Sequence, residues 1–237
     1  MKYEFLDRYT DIRSIVHGMD ARLKIICALI FVLTLVSIPA KSVAYMHYML
    51  YLLVILAVIM ISRVPLSYVL KRSLVVAPFI LIPAAAIPFV QDGFSIFVSV
   101  FAKSWLSALT MVTLVSTTPS ADLLCGLRAL GVPALIVTTI SFMHRYLSVI
   151  EGELFGMKTA RDARSSRGNR RWYIKTAGNI IGSLFIRSYG RAERIYAAML
   201  ARGYEGTVRA MNKFRMTPKD AMLATLFLAA VIVVRVS

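Results

Sequence analysis

The sequence predicts an all-α membrane protein: about five transmembrane helices, and a basic cytoplasmic portion of one short and two long amphipathic helices. Three observations carry this reading. The chain has 237 residues, 58% hydrophobic and only 17% charged, whereas a soluble domain has roughly 25% charged and 45–50% apolar residues. Its apolar residues gather in runs close to the roughly 20 needed to cross a hydrocarbon core. Its 28 Lys and Arg outnumber 12 Asp and Glu, for a formal charge of +16, and most of that excess lies in one late block. Disorder does not fit such hydrophobicity. A nucleic-acid-binding domain does not fit either, because too much apolar sequence accompanies the positive charge. Cys27 and Cys125 lie in separate apolar surroundings and give neither a disulfide framework nor a thiolate cage.

Five runs read as spans. The first, 25–38, is short, entered through Arg22 and Lys24 and ended by Pro39. The second, 43–61, is interrupted only by His47. The third, 74–90, contains Pro78, Pro83 and Pro88, so kinks are expected there. The fourth, 94–116, carries Lys103, which either pairs within the bundle or marks the interface; the interface is the favoured reading. The fifth, 221–234, lies between Lys219 and Arg235 and is short for a span. Residues 1–21 mix acids and bases without an apolar centre, which is unlike a signal peptide.

Orientation follows from where cations collect. The first 24 residues hold Lys2, Arg8, Arg13, Arg22 and Lys24, and the second connection holds Arg63, Lys71 and Arg72. The loops at Lys41 and Asp92 are poor in bases. A multi-pass protein of the cell inner membrane with a cytoplasmic N-terminus is expected. Three segments result: a four-span domain at 1–118, a cytoplasmic domain at 119–217 and a last span at 218–237.

The middle segment holds 16 of the 28 bases and six acids, yet its apolar residues recur at helical spacing. Thr117-Thr118-Pro119-Ser120 ends the fourth span and offers Ser120 as N-cap of a short helix to about Ala129, stopped by Gly131 and Pro133. A long helix from Ala134 turns amphipathic after Arg145 and reaches an arginine cluster, with Gly168 as its stop. A second runs from near Tyr173 to Gly203. In it Leu184, Tyr189, Ala192, Ile195, Tyr196 and Met199 share one side, and Arg187, Arg191, Arg194 and Arg202 lie near the other. A lipid-facing layer whose cations meet anionic headgroups is one reading. The other is docking to protein, because Arg161, Arg164, Arg167 and Arg202 concentrate at helix ends and Arg makes bidentate contacts.

Catalytic and ligand-binding signals are sparse. His17, His47 and His144 lie in three segments without partners at metal-ligand spacing, and no Ser/His/acid set is legible. No catalytic residue, metal ligand or cofactor is assigned. The segment Gly152–Thr159 superficially suggests a phosphate loop, but its spacing is wrong and it reads as continuous helix. Gly178 and Gly182 match a small-xxx-small helix contact.

Several motifs resemble the transmembrane T component of energy-coupling factor (ECF) transporters. Ala197-Ala198-Met199-Leu200-Ala201-Arg202-Gly203-Tyr204 is similar to the second Ala-Arg-Gly signature of that family, and Ala160-Arg161-Asp162-Ala163-Arg164-Ser165 to the first. Arg145-Tyr146-Leu147 with Glu151 or Glu153, Thr118-Pro119 with Asp122-Leu123-Leu124, and Gly131-Val132-Pro133 resemble the CbiQ, cobalt-type branch. His17-Gly18-Met19-Asp20-Ala21-Arg22-Leu23-Lys24 is similar to its entry motif, with Ala21 where Pro is usual. The resemblance implies a non-catalytic scaffold joining a substrate-binding membrane subunit to two ABC-type ATPase subunits. It implies docking through Ala163, Arg164 and Ser165, helped by Arg161 or Arg167, and through Ala201, Arg202 and Gly203. Cobalt or nickel cargo would sit in the partner. A vitamin-type T component is the nearest alternative; a secondary transporter would show inverted repeats, which are absent from the sequence.

Overall fold

The computed structural model describes residues 14–38, 44–84, 93–164, 169–206 and 218–236. Among the described residues it is helical throughout, without strands. The described residues form ten helices in order: α1 Ile15–Gly18, α2 Ala21–Val36, α3 Ala44–Ser62, α4 Leu66–Leu74, α5 Ala77–Ala84, α6 Gly93–Thr117, α7 Ser120–Ala129, α8 Ala134–Arg164, α9 Arg170–Leu200 and α10 Pro218–Val236. Contacts divide the chain into two units, one of residues 1–130 with 212–237 and one of residues 131–211.

In the first unit α6 is the central post, touching α2, α3, α4 and α5, while α10 packs on α2 and α3. Phe31 and Leu35 of α2, Tyr51, Ile55 and Ile59 of α3, Leu106 and Leu109 of α6 and Val231 of α10 form its core. Phe31 meets Tyr51 edge-on at 5.3 Å and stacks on Phe227 at 6.1 Å. The outward faces are apolar too: Leu33, Met46, Met49, Met60, Met222 and Val233 are all exposed. Such continuous apolar exposure suits hydrocarbon rather than water. Lipid tails are as apolar as these side chains, so the bundle is held by close packing and interhelical hydrogen bonds rather than by removal from water.

The expected spans need two refinements. Gly93–Thr117 is long and apolar enough to cross a membrane by composition, and Met46–Ser62 is a shorter apolar helix. At 1.5 Å per residue the 16 residues of α2 reach only about 24 Å. The third run is not one helix: α4 starts at Leu66, ahead of it, and the chain breaks at Val75 and Val76 before α5 resumes at Ala77. Pro78 sits in the first turn of α5, where its missing N–H costs nothing, so it starts a helix rather than kinking one. Pro88 lies outside the described residues.

Ser120 is the first residue of α7, not its cap. Pro119 holds the cap position, without a side-chain hydrogen bond. Gly131 follows with φ +100°. α7 packs on α2, in the first unit. A Cβ built on Gly126 would lie 3.1 Å from Ile25 Cδ1 and 3.4 Å from Ala21 Cβ, so glycine permits that approach. Gly126→Leu should push α7 off α2 and lower the unfolding temperature in detergent, as overpacking by about 1–3 kcal/mol would. Gly18→Leu, where a Cβ meets nothing within 4 Å, is the control.

Candidate functional site

The second unit is a helical hairpin. α8 and α9 pack on each other, each 31 residues long. Arg161 of α8 lies over the Tyr173 ring, 5.9 Å from its centroid, and Glu153 pairs with Arg191 of α9. Residues late in α8 thus meet residues early in α9, so the pair is antiparallel. α9 is about 45 Å long at 1.5 Å per residue, and Arg164 and Arg202 belong to its opposite ends.

The second arginine is presented by a complete helix stop. The Tyr204 N–H donates to the Met199 carbonyl at 3.1 Å and the Gly203 N–H to Leu200 at 3.0 Å. These are the two bonds of a Schellman cap, and Gly203 supplies its left-handed residue at φ +78°. A side chain here would be strained, which is why Gly follows Arg202. Ala201, Arg202 and Gly203 are exposed. The first arginine sits otherwise. α8 ends at Arg164, which is exposed, as is Ala163; Ser165, Arg167 and Gly168 lie outside the described residues. Arg161 donates through Nε to Asp162 Oδ1 at 2.9 Å and through a terminal nitrogen at 2.6 Å. With its guanidinium also over Tyr173, Arg161 is engaged inside the hairpin, whereas Arg164 shows no hydrogen bond or ion pair to a described residue. The geometry favours Arg164 as the projecting side chain.

Arg191 departs from expectation. Periodicity puts it near the side of α9 away from the apolar residues, yet it is half-buried and paired with Glu153 across the hairpin. The half-buried stripe of α9 runs through Ile180, Leu184, Ser188, Arg191, Ile195 and Met199, while Tyr189, Ala192 and Tyr196 are exposed. Helix periodicity alone cannot place Arg191 without knowing that Glu153 faces it. Gly178 and Gly182 meet nothing within 4 Å of a built Cβ, so no described residue crosses closely at that motif. Gly152 and Gly156 lie within continuous α8, and no phosphate loop forms.

The entry motif is a knot in the first unit. Ser14 caps α1, accepting from the His17 N–H at 3.3 Å, and Asp20 caps α2, accepting from the Arg22 N–H at 3.0 Å. Buried Lys24 donates through Nζ to the Thr117 carbonyl at 2.9 Å, the His17 carbonyl at 3.2 Å and Thr118 Oγ1 at 3.5 Å. Lys103 is likewise engaged, donating to the Val36 carbonyl at 3.1 Å and to that of Ile38. It pairs within the bundle, against the favoured sequence reading. A cation next to an apolar run needs a partner; that signal was present for Lys24 but not its address. Among the described residues no three His, Cys, Asp or Glu gather as a metal site. Burial, aided by Asp122, pushes the Cys125 thiol above its usual range.

A helical bundle whose outward faces are apolar, followed in the chain by a helical hairpin with exposed arginines, defines a membrane protein. The chain belongs to the CbiQ family, described as cobalt transport protein, which matches residues 12–214. It is an all-α membrane protein of a transport family. Similar proteins include the cobalt transport protein CbiQ of Rhodobacter capsulatus, 33% identical over 42% of this chain and 41% of that one. The nickel permease LarQ of Lactiplantibacillus plantarum is 37% identical over 38% of this chain and 33% of its own. The energy-coupling factor transporter transmembrane protein EcfT of Brevibacillus brevis is 26% identical over 97% and 96%. The aligned part thus spans less than half of CbiQ and LarQ but nearly all of EcfT.

Arg191→Ala and Glu153→Ala should each loosen the hairpin. A double-mutant cycle read by thermal unfolding should show coupling of about 1 kcal/mol; additive effects would mean the pair contributes nothing.

Proposed function

We propose that the chain is the T subunit of an ECF-type importer for cobalt or nickel, docking two ABC-type ATPase subunits through Arg164 and Arg202. The observation that carries this reading is the pair of exposed arginines at opposite ends of α9, the second held out by the Gly203 cap. A guanidinium fork suits a bidentate contact in a protein groove. Separation by about a helix length suits two grooves on two subunits better than one. When the ATPases close on nucleotide, the helix ends move and the hairpin transmits that motion to the spans. The substrate-binding membrane subunit then releases its cargo. The spans alternate with the N-terminus cytoplasmic.

The metal reading rests on two relatives, the cobalt transport protein CbiQ and the nickel permease LarQ. The alignment with EcfT, which covers nearly both chains and whose name carries no metal, leaves the T component of a vitamin ECF transporter as the second reading. Identifying the membrane subunits that co-purify with the chain separates the two.

Truncating one arginine of a buried charged contact costs about 2–5 kcal/mol, several hundredfold in affinity at mid-range. Arg164→Ala or Arg202→Ala should therefore cut uptake strongly, and the double variant should lose the ATPases on affinity purification. Lys at either position should rescue only in part, because a point charge cannot reproduce the planar fork. Arg187→Ala should be mild. Undiminished ATPase together with normal uptake in the double variant would sink the assignment. Topology is read separately: a reporter fused after residue 92 should face outside, and one near residue 170 should face the cytoplasm.

A further inference from the structure

The first unit contains a cavity of about 320 Å³, walled by α2, α3, α6 and α10 at the Lys24 end of the bundle. That is about twice an engineered 150 Å³ apolar cavity that takes up benzene, and far more than a packing defect. It falls in the size range of ligand sites.

Its lining decides what can enter. Thr110, Thr113 and Thr117 of α6 face it, but their hydroxyls are already spent on their own helix. They donate to the carbonyls of Leu106, Leu109 and Thr113 at 2.8, 2.8 and 2.9 Å. What they offer the cavity is methyl groups. Lys24, the charged side chain among the described lining residues, has its ammonium directed to the His17 and Thr117 carbonyls and Thr118 Oγ1. A metal cation finds no ligand there and meets a positive charge. Water finds too few partners to fill the space.

The mouth is equally telling. Leu53 and Ile61 of α3 and Leu226 of α10 line the cavity and are also 64%, 53% and 66% exposed. The cavity therefore opens through the outer apolar surface between α3 and α10, where the surrounding medium is hydrocarbon. A partner helix, roughly 10 Å across with its side chains, is too thick for it. A single flexible alkyl chain is not.

We propose that this cavity is a binding site for one acyl chain of a membrane phospholipid. The chain enters between α3 and α10 and fills the space beneath Cys27, Ala57 and Ala230, with the headgroup at the Lys24 end. Bound lipid supplies the packing that α10 otherwise lacks on this side, so the site couples the last helix to the lipid around it.

The full-length chain, extracted from membranes and washed in detergent, is weighed by native mass spectrometry. Wild type should retain about one phospholipid. Ala57→Phe, which fills the cavity, should retain at least fivefold less, and Met60→Phe, on the exposed face of α3, should match wild type. A second readout does not depend on the filled variant folding. In Cys125→Ser protein, Cys27 should react with N-ethylmaleimide several-fold more slowly in phosphatidylethanolamine–phosphatidylglycerol nanodiscs than in lipid-depleted detergent. Wild type without retained lipid, Ala57→Phe carrying as much lipid as wild type, or Cys27 equally reactive in both media would overturn the proposal. So would protection of Cys27 that requires the partner membrane subunit and not lipid.

Discussion

Two lysines, each closing the helix that the other leaves open, set the register of the membrane unit. The last carbonyls of a helix have no partner within it. In hydrocarbon each unsatisfied polar group costs several kcal/mol. Lys24, in the first turn of α2, donates to the Thr117 carbonyl that ends α6. Lys103, in the first half of α6, donates to the Val36 and Ile38 carbonyls that end α2. Arg235 of α10 adds a third cation there, 3.3 Å from the Ser37 carbonyl. Cations at helix C-termini also answer the negative end of the dipole. A slide of α2 along α6 by one turn would break both sets of bonds together.

That constraint propagates along the chain. With α6 fixed against α2, the corner at Thr117 and Thr118 is fixed, and α7 starts from it to pack on α2 where Gly126 allows close approach. The chain then leaves α7 for the hairpin and comes back as α10, which packs on α2 and α3 and brings Arg235 to the shared helix end. The hairpin has its own lock in Glu153 and Arg191. Each unit is thus internally tied by charge-assisted bonds, and Arg164 and Arg202 stay exposed.

Much of this was legible in the sequence where a residue has one physical use. Gly203 after an arginine at the end of an amphipathic run reads as a left-handed cap, and it is one. The hairpin helices were readable because Pro133 and the glycines punctuate them. Where a residue's role depends on what faces it, the sequence was silent. Lys103 looked like an interface marker because the carbonyls it closes lie 65 and 67 positions away. Arg191 looked solvent-facing because Glu153 is 38 positions distant. The third apolar run looked continuous because hydropathy does not register the break at Val75 and Val76. The family resemblance came from short arginine motifs, and their geometry could be supplied only by the fold.

The central claim is that the ends of α8 and α9 each touch an ATPase subunit. Single cysteines placed at positions 164, 187 and 202 of a Cys27→Ala, Cys125→Ala chain, in the assembled complex, test it with a short bifunctional thiol–amine reagent. The account predicts cross-links to ATPase subunits from 164 and 202 and none from 187. Efficient cross-linking from 187, or from neither end, would contradict it.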